Sequence, residues 1–171
     1  MGAVACARHG CFFPSSVVDF DLGEKQMHID YGVSESIKTT NMQDIEKMAL
    51  IYDIMCEYGV YFDKRFLEHP GLTMPEDLEV IKAIGLFHVH GHKEECLARY
   101  APTYIPTLAV VNGEVMEMLW AVLNQTSRSA RGATIASRTE LLDDHMGDSN
   151  WKKTINMGMS HCSFGTNDFS L

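Results

Sequence analysis

The residues that could do chemistry here are carboxylates and imidazoles set among apolar neighbours. Asp53 stands in the run Leu50-Ile51-Tyr52-Asp53-Ile54-Met55-Cys56. A strand that is apolar on both faces is normally central and buried, and a buried carboxylate without a partner is costly. Asp53 therefore has a partner, binds a cation, sits at a strand end facing a cleft, or is simply a turn acid after Tyr52. Glu114 and Glu117 share a stripe with Ala121 and Asn124 on a helix that is otherwise apolar, running from Gly113 to Asn124. That stripe faces either a thin strip of solvent or a polar cleft. Between these acids lies Leu86-Phe87-His88-Val89-His90-Gly91-His92, followed by Cys96. On an alternating strand His88, His90 and His92 point to one face, and with Cys96 they make a zinc half-site. No second ligand pair with clean spacing follows, so the same histidines also read as hydrogen-bonded structural residues. The layout as a whole points to a metal-dependent site, with one acid fewer than two-metal chemistry usually needs.

Other chemistries find less support. Cys56 and His9 have no spacing that marks a nucleophile and its base, and Cys56 reads as a buried free cysteine. Gly85 and Gly91 stand alone, so there is no glycine loop to cradle phosphate. No G-x-S-x-G elbow occurs.

The elements that would position these residues alternate between strand and helix. Residues 3–7 read as a short buried strand, and a core strand so near the first residue predicts that the natural domain starts further upstream. Residues 23–38 carry Met27, Ile29, Val33 and Ile37, with the four-residue spacing of a helix. Residues 42–49 read as a helical lead-in to a strand over 50–56, and residues 57–67 as a helix stopped by His69-Pro70-Gly71. Pro75 at a first turn predicts a helix over 75–83, before a second strand over 84–90. A short helix follows at 93–100, Pro102 and Pro106 break the next stretch into a loop, and a long helix runs over 113–124 before a basic break at 127–132. A last helix over 133–146 ends at Gly147. The tail from 157 to 171 shows no periodicity and reads as disordered. The class is α/β, with residues 1–156 as one domain and the tail outside it.

The 171 residues fit one domain, with 46% hydrophobic and 22% charged residues. The net charge of −9 argues against a free-standing nucleic-acid binder, because phosphate neutralisation drives such affinity. An acidic catalytic core that relies on metal ions and on DNA-binding segments elsewhere fits the same balance. Five cysteines without a disulfide framework point to a reduced, intracellular compartment. No apolar run is long enough to span a bilayer, and no signal-peptide pattern opens the chain. Cys6 stands where a myristoylation signal wants Ser or Thr.

Several of these motifs, taken in order, resemble the core of the Kyakuja-Dileera-Zisupton (KDZ) transposases of fungi. The resemblance is carried by Ala5-Cys6-Ala7-Arg8-His9-Gly10, Lys38-Thr39-Thr40-Asn41 and Ile51-Tyr52-Asp53-Ile54-Met55-Cys56. It continues through Gly85-Leu86-Phe87-His88-Val89-His90-Gly91-His92 with Cys96, Arg99-Tyr100 and Ala101-Pro102. It ends with Gly113-Glu114, Glu117 and Trp120, then Leu142-Asp143-Asp144-His145 and Asp148-Ser149-Asn150-Trp151. The resemblance implies a ribonuclease-H-like fold that cuts and joins DNA with three carboxylates and two Mg²⁺ (or Mn²⁺) ions. Asp53 matches the second acid. The third falls at Glu114 or Glu117, with Glu114 favoured. His88, His90, His92 and Cys96 would orient the site or hold a structural Zn²⁺. The partner would be the DNA of transposon ends and the location nuclear, though no import signal stands out; the oligomeric state is not legible.

The chain also departs from the family pattern. The family's first acid lies on a strand upstream of where this sequence begins. Ile105-Pro106-Thr107-Leu108-Ala109 stands where the family is glycine-rich, and Asn112 where an Asp is usual. The expectation is therefore a transposase fragment or remnant, inactive as written. A non-catalytic, zinc-stabilised module derived from the same kind of element is the rival.

Overall fold

The first long helix, α1 (Gln26–Thr39), forms where the spacing predicts it. Val33 and Ile37 lie one turn apart and are almost fully buried, with Ser34 and Ser36 beside them. Its start is tied by His28, whose Nδ1 accepts the backbone N–H of Lys25 at 3.2 Å. The computed structural model describes residues 1–20, 22–42, 44–108, 111, 113–126 and 130–164, with side chains as far as Met157. By its internal contacts the chain forms two compact units. The first holds residues 1–8 and 12–115, and the second holds His9–Cys11 and the residues from Met116 onward.

In the first unit the expected strand over 3–7 is reduced to single antiparallel bridges, Gly2 to Val18 and Ala5 to Phe12. The buried Ser16 fastens this segment, donating its hydroxyl to the Phe13 carbonyl at 2.7 Å. Strand β1 (Lys47–Ile51) pairs in parallel with β2 (Glu79–Ala83), in register from Lys47 opposite Glu79 to Ile51 opposite Ala83. Parallel pairing needs a crossover. It is supplied by α2 (Met55–Tyr58) and α3 (Phe62–Glu68). These two helices replace the single helix expected over 57–67.

Two helical expectations are corrected here. Residues 47–49 and 79–83 are strand. In segments this short the apolar spacing fits either period, and cross-strand pairing decides. Pro75 instead opens a turn, closed by the Leu78 N–H on the Pro75 carbonyl at 3.2 Å. The strand expected over 84–90 ends earlier, at Ala83, and Leu86–Val89 forms the short helix α4. α5 (Glu94–Tyr100) follows as expected, then a 3₁₀ turn over Pro102–Tyr104.

The core of this unit gathers Val33, Ile37, Met55, Tyr58, Phe62, Phe66, Leu78, Ile84, Val89 and Ala101. Aromatic rings run through it: Tyr58 and Phe62 have centroids 5.6 Å apart, and Phe62 and Phe66 4.5 Å apart. Beside them Asp30, 3% exposed, accepts Arg65 Nε at 2.6 Å, Arg65 Nη2 at 3.0 Å and the Tyr58 hydroxyl at 2.8 Å.

α6 (Val115–Asn124), which belongs to the second unit from Met116 onward, buries Leu119 and Leu123, one turn apart. α7 runs over Ile135–Phe164, and so does not stop at Gly147 as expected. Gly147 has open space around it, and the next turn is supported by an ion pair of Lys152 with Asp148 at 2.6 Å. The same helix continues across residues 157–164, where the sequence reads as a non-periodic tail. Residues 165–171, and residues 127–129 of the basic break, lie outside the described residues. The class is α/β, with a two-stranded parallel sheet among the described residues.

Candidate metal centre

Asp53 and His88 are both delivered by the sheet. Asp53 is not inside a strand, as one reading of the sequence had it, but lies just past the end of β1 and is half exposed. His88 sits on α4, just past the end of β2. Because the strands are parallel and in register, the two side chains emerge at the same end of the sheet. The carboxyl ends of parallel strands are where ligand sites of α/β sheets form.

Glu114 arrives by a different route. Gly113 has φ +80°, in the left-handed region that glycine enters without penalty. A Cβ at Gly113 would lie 2.5 Å from the Gly85 Cα. Backbone packs directly on backbone at this point, and that contact sets Glu114 beside His88. His88 Nε2 is 3.7 Å from Asp53 Oδ1 and 3.9 Å from Glu114 Oε1. Glu114 Oε1 is buried and has no hydrogen-bond partner among the described residues. A buried carboxylate oxygen in that state wants positive charge. The arrangement can meet it with an imidazolium at His88 or with a divalent cation held between the acids. Two carboxylates and an imidazole suit Mn²⁺, and the carboxylates alone suit Mg²⁺.

The expectation that His88, His90 and His92 share one face is corrected. Residues 86–89 are helical, so alternation does not apply and the three side chains separate. His88 joins the acids. His90 is exposed and belongs to neither group of ligand atoms. His92 turns toward cysteines instead: its Nδ1 lies 3.4 Å from Cys56 Sγ. One ligand atom each from Cys56, His92 and Cys96 falls within 4.8 Å of the others, and all three residues are half-buried. Burial pushes the Cys56 thiol up, and hydrogen bonding to Cys96 adds to the shift. Cys56 is the member that sequence reading passed over as an ordinary buried cysteine. Its only signal was its place three residues after Asp53, and pairing it with His92 and Cys96 required the register of the sheet. Glu117 lies exposed on α6, in the second unit.

An acid and a histidine at the carboxyl ends of paired parallel strands, met by a second acid beyond a glycine, make a set of oxygen and nitrogen donors that a divalent cation can use. The model of the Kyakuja-Dileera-Zisupton transposase family matches residues 1–150. The chain belongs to this family. Comparison with curated proteins and with solved structures gave no match. Among the described residues, no helix is long and apolar enough to cross a membrane.

Proposed function

We propose that this chain is part of a DNA transposase with a ribonuclease-H-like core, and that Asp53 and Glu114 are two of the carboxylates that hold its divalent cations. The observation that carries this reading is the convergence of Asp53 and Glu114 on His88, with one Glu114 oxygen buried and unsatisfied. Membership of a transposase family supports this reading, and the reaction proposed is metal-dependent cleavage and joining of DNA strands. When bound, the cations activate the attacking oxygen and stabilise the leaving one. The chain's own residues do the positioning. Asp53, half exposed, presents its carboxylate at the open end of the sheet. Glu114 offers a partly desolvated oxygen whose attraction for a cation is stronger than in water. His88 stands between them, with Nε2 within 4 Å of an oxygen of each. The net charge of −9 opposes the approach of DNA phosphate, and bound cations would offset it at this surface. The first acid of the family pattern is assigned to no residue here, and strand cleavage by these residues alone is not expected.

The test is Mn²⁺ binding to the full chain, read by electron paramagnetic resonance of the free ion. Asp53→Asn and Glu114→Gln should each weaken binding by at least about 10-fold. Equal affinity in wild type and both variants would overturn the assignment.

A further inference from the structure

We propose that Cys56, His92 and Cys96 form a second metal centre, a Zn²⁺ clip that fastens the crossover of the sheet. This inference stands apart from the nuclease reading and uses none of its residues.

The argument begins with the donor set. Two thiols and an imidazole from three separate segments place one ligand atom each within 4.8 Å of the others. Thiolate and imidazole are the ligands Zn²⁺ prefers, and two thiolates with a neutral imidazole exactly balance the charge of the ion, so a half-buried site bears it without a stray charge. Cys56 lies in α2 on the crossover, His92 in the turn after α4, and Cys96 in α5. His92 and Cys96 are separated by three residues, a spacing that lets both reach one ion at a helix start. Three protein ligands leave one coordination position for water.

A disulfide between Cys56 and Cys96 explains the placement less well. Both cysteines are free, and a disulfide gives no role to the His92 ring at 3.4 Å from Cys56 Sγ.

The fold also has a use for such a clip. α2 and α4 have four residues each and α5 has seven, far below the length at which helices hold themselves together in water. The strands they flank have five residues each. An ion that binds only the folded arrangement stabilises it by mass action. It would also fix the turns that carry Asp53 and His88, because Cys56 follows the one and His92 the other by a single turn.

The experiment uses the full chain, prepared metal-free under reducing conditions and then given Co²⁺ or Zn²⁺. Co²⁺ should produce thiolate-to-metal charge-transfer bands and the intense visible bands of a tetrahedral site. Zn²⁺ should displace it at about one ion per chain. Cys56→Ser and Cys96→Ser should each diminish the charge-transfer band, and His92→Ala should weaken binding by at least about 10-fold. His90→Ala, on an exposed histidine outside the cluster, should leave spectrum and affinity unchanged. The proposal fails if the wild-type chain gives no charge-transfer band. It fails equally if His90→Ala abolishes the site, or if intact mass shows a Cys56–Cys96 disulfide in chain prepared under reductant. The wild-type and His90→Ala results decide the matter even if the cysteine variants do not fold.

Discussion

Asp30→Ala tests whether the first unit is held by its buried ion pair. The carboxylate is 4% exposed and the Arg65 side chain 22%. Three hydrogen bonds converge on it, two from the guanidinium and one from Tyr58. The guanidinium also donates to the Tyr58 carbonyl at 3.2 Å and lies over the Tyr58 ring, 4.8 Å from its centroid. Removing one partner of a buried pair costs about 3–5 kcal/mol, because the other charge is left unpaired. Arg65 keeps some contact with water, which favours the lower end, about 3 kcal/mol. The Tyr58 hydroxyl loses its acceptor as well, adding about 1 kcal/mol. A loss of about 4 kcal/mol is a large share of the roughly 5–15 kcal/mol that stabilises a typical domain. Urea unfolding of wild type, Asp30→Ala, Arg65→Met and the double variant would measure it, with the denaturant slope compared across the set. The double variant should recover part of the loss, since no buried charge is then unpaired. A loss below about 1 kcal/mol in Asp30→Ala, or a double variant that loses the sum of the two singles, would refute the reasoning.

Other perturbations probe the site and its setting. Gly113→Ala should reduce Mn²⁺ affinity as far as Asp53→Asn does, because a Cβ there would lie 2.5 Å from the Gly85 Cα at φ +80°; a variant that binds Mn²⁺ like wild type would show that Glu114 is placed by something else. Alkaline pH should destabilise the fold through Tyr58, whose phenol is pushed well above its ordinary value near 10, first by burial and then by its hydrogen bond to Asp30. The folded chain keeps a proton that the unfolded chain releases, so this contribution is intact below pH 10 and is lost as pH rises above it, at about 1.4 kcal/mol per pH unit. Tyr52 is shifted the same way, first by burial and then by Glu24, so Tyr58→Phe should flatten the fall of the urea midpoint above pH 10 without removing it. An unchanged slope would count against the assignment.

The long periodic segments were legible in the sequence. α1 follows from Ile29, Val33 and Ile37, and α6 from an apolar run that buries Leu119 and Leu123. The sheet was not, because residues 47–51 and 79–83 are too short for periodicity to separate strand from helix, and their identity comes from pairing with each other. The histidine block failed for a related reason. Placing β2 a few residues late turned a helical segment into an alternating one and put His88, His90 and His92 on a shared face. Asp53 and Glu114 could be chosen as residues from their apolar surroundings. That His88 lies between them depends on the Gly85 and Gly113 approach, a contact between distant backbones with no local signature.

That approach has a consequence at the level of the gene. Glu114 is held in place by main chain against main chain rather than by a side chain that neighbours could replace. Every glycine codon is one base away from alanine, valine, arginine and an acidic residue. On the proposed assignment, a single base change at codon 113 would displace Glu114 while leaving Asp53, His88 and Glu114 all present in the translated sequence. In copies of such a gene, counting the acids alone would overstate how many encode a working site; the glycine before the second acid is the better position to inspect.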